Sequence, residues 1–254
     1  MVKKHQSPCL DDLLAELRLS TIQQNYKEHA QQAAQESMSY QEYLHGLIER
    51  EVECRTNNRI NRLLRQSHLP LEKNLSAFDM TRLPRKLIQQ VKVLLDGSFL
   101  SRTENILAFG NPGSGKTHLL CAIGQCLIQK GYKVYFSTCS LLVQELLRSK
   151  RDLVLEKALK KLSRYDVLII DDIGYVQQTR AEMEVLFSLL AYRYERGSVM
   201  ISSNLAFSQW ESIFKDPMTT AAAIDRLIHH SVILELNLKS YRIKEAKKSK
   251  AKAR

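Results

Sequence analysis

The sequence predicts an α/β fold: a parallel sheet covered on both faces by helices, preceded by a small all-α domain. Three observations carry this prediction. From Leu10 to about Ser67 the chain is almost free of Gly and Pro, and its apolar residues recur at helical spacing. The segment His68 to Ser76 then breaks that pattern with Pro70. Beyond it, short apolar runs alternate with helical stretches, which is the pattern of parallel strands joined by crossover helices. A chain of 254 residues is long enough for one large domain and a smaller partner. The expected division is residues 1–68, 69–238 and a basic tail, 239–254.

In the first region Leu10, Leu13, Leu14 and Leu17 mark one amphipathic helix, and Ile22, Tyr26 and Ala30 mark a second. Tyr40, Tyr43, Leu44, Leu47 and Ile48 mark a third, with Ser39 placed to cap it. Arg55, Arg59, Arg62 and Arg65 fall on successive turns and form a guanidinium stripe, while Ile60, Leu63 and Leu64 face elsewhere. In the second region, runs at Asn105 to Phe109, Lys133 to Ser137, Val167 to Ile170, Ser198 to Ser203 and Ser231 to Leu236 read as buried strands.

Gly110-Asn111-Pro112-Gly113-Ser114-Gly115-Lys116-Thr117 follows the first strand and opens a helical run, Leu119 to Lys130. Glycines at these positions let the backbone curl so that its N–H groups converge on phosphate oxygens, and the helix adds its positive end. The spacing Gly-x-x-x-x-Gly-Lys-Thr in this strand-to-helix context predicts a P-loop that binds ATP, its contacts extending to His118. Lys116 is expected to reach the β and γ phosphates, and Thr117 to give its hydroxyl to Mg²⁺.

Val167 to Asp172 is an apolar strand ending in two acids, and the carboxyl ends of parallel strands face the ligand site. Asp171 is expected to hold Mg²⁺ directly or through water, and Asp172 to orient or deprotonate the attacking water. The competing reading is a strand ended by a polar turn before Gly174. Asn204 ends the next strand on the same edge, where its amide could hold the water or the γ phosphate; taken alone it is equally a turn residue or a cap. Arg226 lies on a short helical stretch after Pro217, either as an arginine finger for a neighbouring subunit or in a salt bridge with Asp225 or another nearby acid.

Composition narrows the function classes. Hydrophobic content is 44% and charged content 26%, and no stretch approaches the roughly 18 apolar residues of a membrane helix. The N-terminus carries charge without an apolar run behind it, so the expected address is cytoplasmic. The five cysteines form no Cys-x-x-Cys pair and have no histidine at ligand spacing, so buried free thiols are expected rather than a metal site or disulfides. Of the net charge of +11, +7 lies between Lys239 and Arg254, where eight Lys or Arg face one Glu. The arginine stripe and this tail suggest non-specific binding to duplex DNA through its phosphates. Pairing of the stripe with Glu49, Glu51 and Glu53, and a merely solubilising tail, are the alternatives.

With these residues in place, the chain resembles the IstB-type transposition helper ATPases, relatives of the helicase loader DnaC within the AAA+ superfamily. The resemblance covers nearly the whole chain. Besides the loop and the paired acids it rests on the runs Leu69 to Asp79, Asp171 to Gly174, Arg193 to Ser198, Ser202 to Trp210 and Ala223 to Ser231. It implies a lidless AAA+ core that assembles as a homo-oligomer on DNA and hydrolyses ATP, with an N-terminal helical domain that binds partners. It further implies Asn204 as sensor and Arg226 as arginine finger. Asp172 stands where most AAA+ proteins have Glu. The implied partners are a transposase or, in the loader reading, a replicative helicase. A small-molecule kinase and an ATP-gated adaptor without turnover share the loop; the kinase would need an arginine-bearing lid, for which the sequence offers no segment.

Overall fold

The computed structural model describes residues 9–174, 179–205, 209–210, 227–238 and 240–241. The chain divides into two compact units, Met1–Arg62 and Leu63–Arg254, with the division inside a long helix.

The first unit is helical. It holds α1 (Leu10–Glu16), α2 (Ser20–Gln35) and most of α3 (Tyr40–Ser67). Ser39 caps α3 as expected: its Oγ accepts the Glu42 N–H at 3.3 Å, and the Glu42 carboxylate accepts the Ser39 N–H at 2.8 Å. Leu14, Ile22 and Leu47 form a small core edged by Leu19, Tyr26 and Tyr43. The remaining apolar positions of the three predicted stripes are not all covered. Leu10, Leu13, Leu17, Leu44 and Ile48 are exposed, as is Ala30, and Tyr40 is 93% exposed. A helical period identifies a face, and only a packing partner decides how much of it is buried.

Glu51, 4% exposed, ties this unit together. Its carboxylate accepts the Thr21 and Ile22 N–H groups at the start of α2, at 2.8 and 3.2 Å, and pairs with Arg55 at 2.7 Å. Burial alone would push the Glu51 carboxyl up; the two amides and the guanidinium outweigh it and hold the group below the usual carboxylate range. Arg55 also donates to the Arg18 carbonyl, so one member of the arginine stripe is an internal brace. Arg59, Arg62 and Arg65 are exposed on α3.

The second unit is a three-layer α/β domain. A five-stranded, fully parallel sheet has the order β2-β3-β4-β1-β5, with β1 Asn105–Phe109, β2 Val134–Thr138, β3 Val167–Ile173, β4 Ser198–Ser203 and β5 Ser231–Glu235. β1 and β4 occupy the residues predicted for them, whereas β2 starts and ends one residue later and β5 stops one residue sooner. On one face lie α4 (Arg85–Asp96) and α5 (Lys116–Gln129); on the other lie α6 (Cys139–Arg151), α7 (Leu155–Leu162) and α8 (Arg180–Arg193). Close approach of α5 depends on Gly124, where a Cβ would come 2.8 Å from Ile169 Cδ1. The opposite face packs Leu107, Ile170 and Ile201 with Leu142, Leu146, Leu186, Leu189 and Trp210.

Two buried polar residues set the amino ends of the strands. Asn105 accepts the Val199 N–H at 2.9 Å and donates to the Leu227 carbonyl at 3.4 Å, linking β1 to the chain on either side. Arg193, 2% exposed, donates to the carbonyls of Leu162, Tyr165, Asp166 and Ser198 at 2.9 to 3.2 Å, and Gly197 leaves room for its guanidinium. Burial pushes this guanidinium down to about 10, so it stays charged at neutral pH.

All five cysteines are free thiols, but not all are buried as expected. Cys121 and Cys139 are buried, Cys54 and Cys126 are half-buried, and Cys9 is exposed on the first turn before α1. No described helix is long and apolar enough to cross a membrane.

Candidate active site

The sheet order places the ends of β1, β3 and β4 side by side, and each delivers part of one site. After β1 the backbone takes left-handed conformations at Gly113 (φ 77°) and Gly115 (φ 104°), which only glycine adopts without strain. At Gly110 a Cβ would strike the Leu236 carbonyl, and at Gly113 it would strike Ser240. α5 therefore starts at Lys116, three residues sooner than its apolar pattern indicated, and it starts without any side-chain cap. Its first N–H groups thus face a cleft rather than a capping oxygen, the arrangement that receives an anion.

Lys116 is only 5% exposed. Its ammonium donates to the Gly110 carbonyl at 2.8 Å, to the Asn111 carbonyl at 3.1 Å and to Asn204 Oδ1. The Asn204 amide N–H in turn donates to Asp172 Oδ1 at 3.0 Å. Thus the predicted lysine, asparagine and second acid form one continuous chain of hydrogen bonds.

β3 does not stop at Ile170. It continues through Asp171 and Asp172 to Ile173, with a bulge opposite β4: Ile170 pairs with Ile201, and Ile173 pairs with Ser203. Asp172 takes a left-handed φ of 67°, a region where Asp is among the more tolerated side chains. Ser202 Oγ accepts the Asp172 N–H at 2.8 Å and donates to Asp171 Oδ1 at 2.6 Å. Next in sequence, Ser203 Oγ donates to the Ile173 carbonyl at 2.9 Å and accepts the Leu205 N–H at 3.1 Å.

Pro112, Gly113, Gly115, Lys116, Thr117, His118, Asp171, Asp172 and Asn204 all border a cleft of about 310 Å³. Gly110 and Asn111 support it through the lysine, and Ser114 is buried beneath the loop. His118 is fixed by a 2.8 Å contact from Nε2 to the Asn74 carbonyl and by the Phe78 ring edge. Arg226 and Asp225, together with residues 242–254, lie outside the described residues.

Sequence reasoning missed the other wall of this cleft, lined by Lys73, Phe78, Arg82, Leu238 and Tyr241. The Arg82 guanidinium lies 5.4 Å from the Tyr241 ring centroid, and the Tyr241 N–H donates to the Gly113 carbonyl at 2.9 Å. Phe78 belongs to the run Leu69 to Asp79 on which the resemblance rested, but nothing in its spacing announced a role. On α5, Cys121 has its thiol pushed up to about 12, chiefly by burial, so it is an inert filler rather than a nucleophile.

The donor set fits a nucleotide triphosphate with its hard metal ion. Uncapped helix amides and a buried ammonium suit phosphate oxygens, while the Thr117 hydroxyl and the Asp171 carboxylate are the kind of hard oxygens that would hold Mg²⁺, leaving the Asp172 carboxylate for water.

Comparison with known proteins agrees with this geometry. Residues 12–250 match the family described as IstB-like ATP binding protein. An insertion sequence ATP-binding protein of Sinorhizobium fredii is 43% identical over 239 residues, covering 94% of this chain and 80% of the relative. The insertion sequence IS21 ATP-binding protein of Pseudomonas aeruginosa is 35% identical over 243 residues, covering 94% and 91%. Among solved structures, the AMPPCP-bound DnaA of Aquifex aeolicus superposes with a TM-score of 0.56 at 21% identity, over 72% of this chain and 56% of that one. The DnaC helicase loader superposes with a TM-score of 0.54 at 19% identity, over 66% and 97%. These two likenesses concern the fold.

Proposed function

The chain belongs to the family of IstB-like ATP-binding proteins, P-loop ATPases of the AAA+ class, and from that premise we propose that it is an ATP-dependent helper of DNA transposition. In this reading it binds duplex DNA without sequence preference, assembles on it as a homo-oligomer with ATP bound, and recruits or activates a transposase. The observation that carries the nucleotide switch is the hydrogen-bonded chain from Lys116 through Asn204 to Asp172, which links the phosphate grip to the hydrolytic acid.

The roles follow from the chemistry of phosphoryl transfer, which asks for positioning and charge stabilisation more than for covalent help. Lys116 and the loop amides hold the β and γ phosphates, drawing the lysine from the Gly110 and Asn111 carbonyls. Asn204 Oδ1, released by the lysine, is then available to accept from the attacking water, and its second amide proton to donate to the γ phosphate. Asp172 orients that water or takes its proton. Thr117 and Asp171 hold Mg²⁺, which neutralises charge on the phosphates. Arg226 acts from a neighbouring subunit as an arginine finger.

Binding to DNA rests on exposed cations. Arg59, Arg62 and Arg65 on α3 are exposed, and the lysine-rich segment 239–254 adds +7. Such contacts neutralise phosphates and give affinity that falls with salt.

The test is to mix the purified chain with duplex DNA and ATP, image the assemblies, measure ATP turnover with and without DNA, and probe binding to a transposase. ATP-dependent assemblies that bind the transposase support the reading. Assemblies indifferent to ATP overturn it, and ATP-dependent binding of a replicative helicase in place of the transposase moves the chain to the loader class.

A further inference from the structure

Resting on the roles proposed above for Asp171 and Asp172, we infer that Ser202 is a positioning residue that sets both acids with one hydroxyl. Between the pairs Ile170 with Ile201 and Ile173 with Ser203, β3 contributes two residues, Asp171 and Asp172, against the single Ser202 of β4. A bulge of this kind re-aims side chains at a strand end and leaves the extra residue without its ladder partner. Here the N–H so freed belongs to Asp172, whose left-handed backbone turns it out of the sheet.

Ser202 supplies what the bulge removes. Its Oγ accepts the Asp172 N–H at 2.8 Å, and its own proton goes to Asp171 Oδ1 at 2.6 Å. The hydroxyl is therefore used in both directions, once for the backbone of one acid and once for the carboxylate of the other. The serine itself is 1% exposed, so its hydroxyl is shielded from solvent on its own side of both bonds. The next side chain, Ser203, secures the Ile173 carbonyl just past the bulge. Asn204 then reaches Lys116 and Asp172. Three consecutive side chains, the last two of β4 and the residue after it, thus hold β3 from Asp171 to Ile173, and the Ser202 hydroxyl engages both acids. Alanine at 202 would fill nearly the same space while removing the bond to the Asp172 N–H and the one to Asp171 Oδ1.

Outer partners of metal-holding carboxylates typically matter by about 10- to 100-fold when removed. Ser202→Ala should keep the KM for ATP within about twofold and lose about 10- to 100-fold in kcat. Its Asp172 amide should exchange with solvent faster than in the parent, read by nitrogen-15 NMR on the full chain without nucleotide. Ser202→Thr, which keeps the hydroxyl, should restore both. Parental kcat in a folded Ser202→Ala chain, or an Asp172 amide protected as in the parent, overturns the inference. If Ser202→Ala does not fold, Ser202→Cys, similar in size with a much weaker donor, carries the same comparison. Asp172→Asn run in parallel separates the two levels. Full turnover in Asp172→Asn defeats the roles given to the acids, whatever the Ser202 variants do. An inactive Asp172→Asn beside a fully active Ser202→Ala defeats the Ser202 inference alone.

Discussion

The Lys116 ammonium and the Asn204 side-chain oxygen, 88 residues apart in the chain, are hydrogen-bonded to one another. The lysine leaves the P-loop and the asparagine leaves the end of β4, so their meeting depends on β1 lying beside β4. The amide oxygen there can exchange the lysine for the O–H of an attacking water while its N–H keeps the bond to Asp172.

That relationship predicts two different phenotypes. Lys116→Ala should weaken ATP binding by about 100-fold or more, because it removes a charge-assisted grip worth several kcal/mol. Asn204→Ala should leave affinity within a few-fold and lower kcat by roughly 100-fold, since it acts on the water or the γ phosphate. Calorimetric titration with a non-hydrolysable analogue, beside steady-state turnover, checks both; parental affinity in Lys116→Ala defeats the site.

Arg226→Ala should bind ATP normally as a monomer and lose hydrolysis in the assembly by about 1,000-fold, because a finger acts across a subunit boundary. Mixing it with Lys116→Ala chains supplies the check. Where the nucleotide site of an Arg226→Ala chain faces the arginine of a Lys116→Ala chain, the interface is complete, and partial recovery of turnover marks action in trans. Unchanged turnover in the variant alone makes Arg226 a structural residue.

Glu51 gives the helical unit a pH dependence of known sign. Its folded carboxyl lies below the ordinary value of 4.5, so the carboxylate stabilises the folded unit above that pH. The contribution disappears as pH falls from 4.5 through the lower folded value. Glu51→Ala should therefore cost about 1 to 3 kcal/mol at pH 7, and the difference from the parent should shrink towards pH 3. Thermal unfolding followed by circular dichroism across this range checks it.

Arg193→Lys should destabilise the α/β unit although it keeps the charge. A guanidinium spans four carbonyls in a plane, whereas an ammonium has three donors on a flexible stem. A loss of about 3 kcal/mol corresponds to roughly 6 to 12 °C in Tm, with nucleotide affinity unaltered because the arginine sits at the opposite end of the strands.

Much of this was legible in the sequence because the relevant signals are local. Asn105 to Phe109 and Ser198 to Ser203 read as strands since both of their faces are covered and apolar residues dominate. The P-loop read as such because its glycines are demanded by backbone geometry at each position. Other features depended on partners distant in the chain. The acids at 171 and 172 looked like the end of a strand, whereas a bulge carries β3 past them. Ser202 was invisible because its role comes from that register shift. For Arg55 the alternative reading, pairing with Glu51, holds, and the Arg18 carbonyl adds a partner 37 residues away that the helical spacing could not show. The run Arg193 to Ser198, quoted only for its resemblance, has a physical reason: a buried arginine and the glycine that makes room for it.

The strand order has a last consequence, for the order of events as the chain folds. Lys116, Asp172 and Asn204 are delivered by three adjacent parallel strands, and parallel strands cannot be joined by hairpins, so each pairing waits for a long loop to close. The phosphate grip is therefore acquired late, after the sheet has closed around β1. Nucleotide then has nothing to hold on a partly folded chain, and by mass action every molecule of it bound draws the population towards the completed sheet.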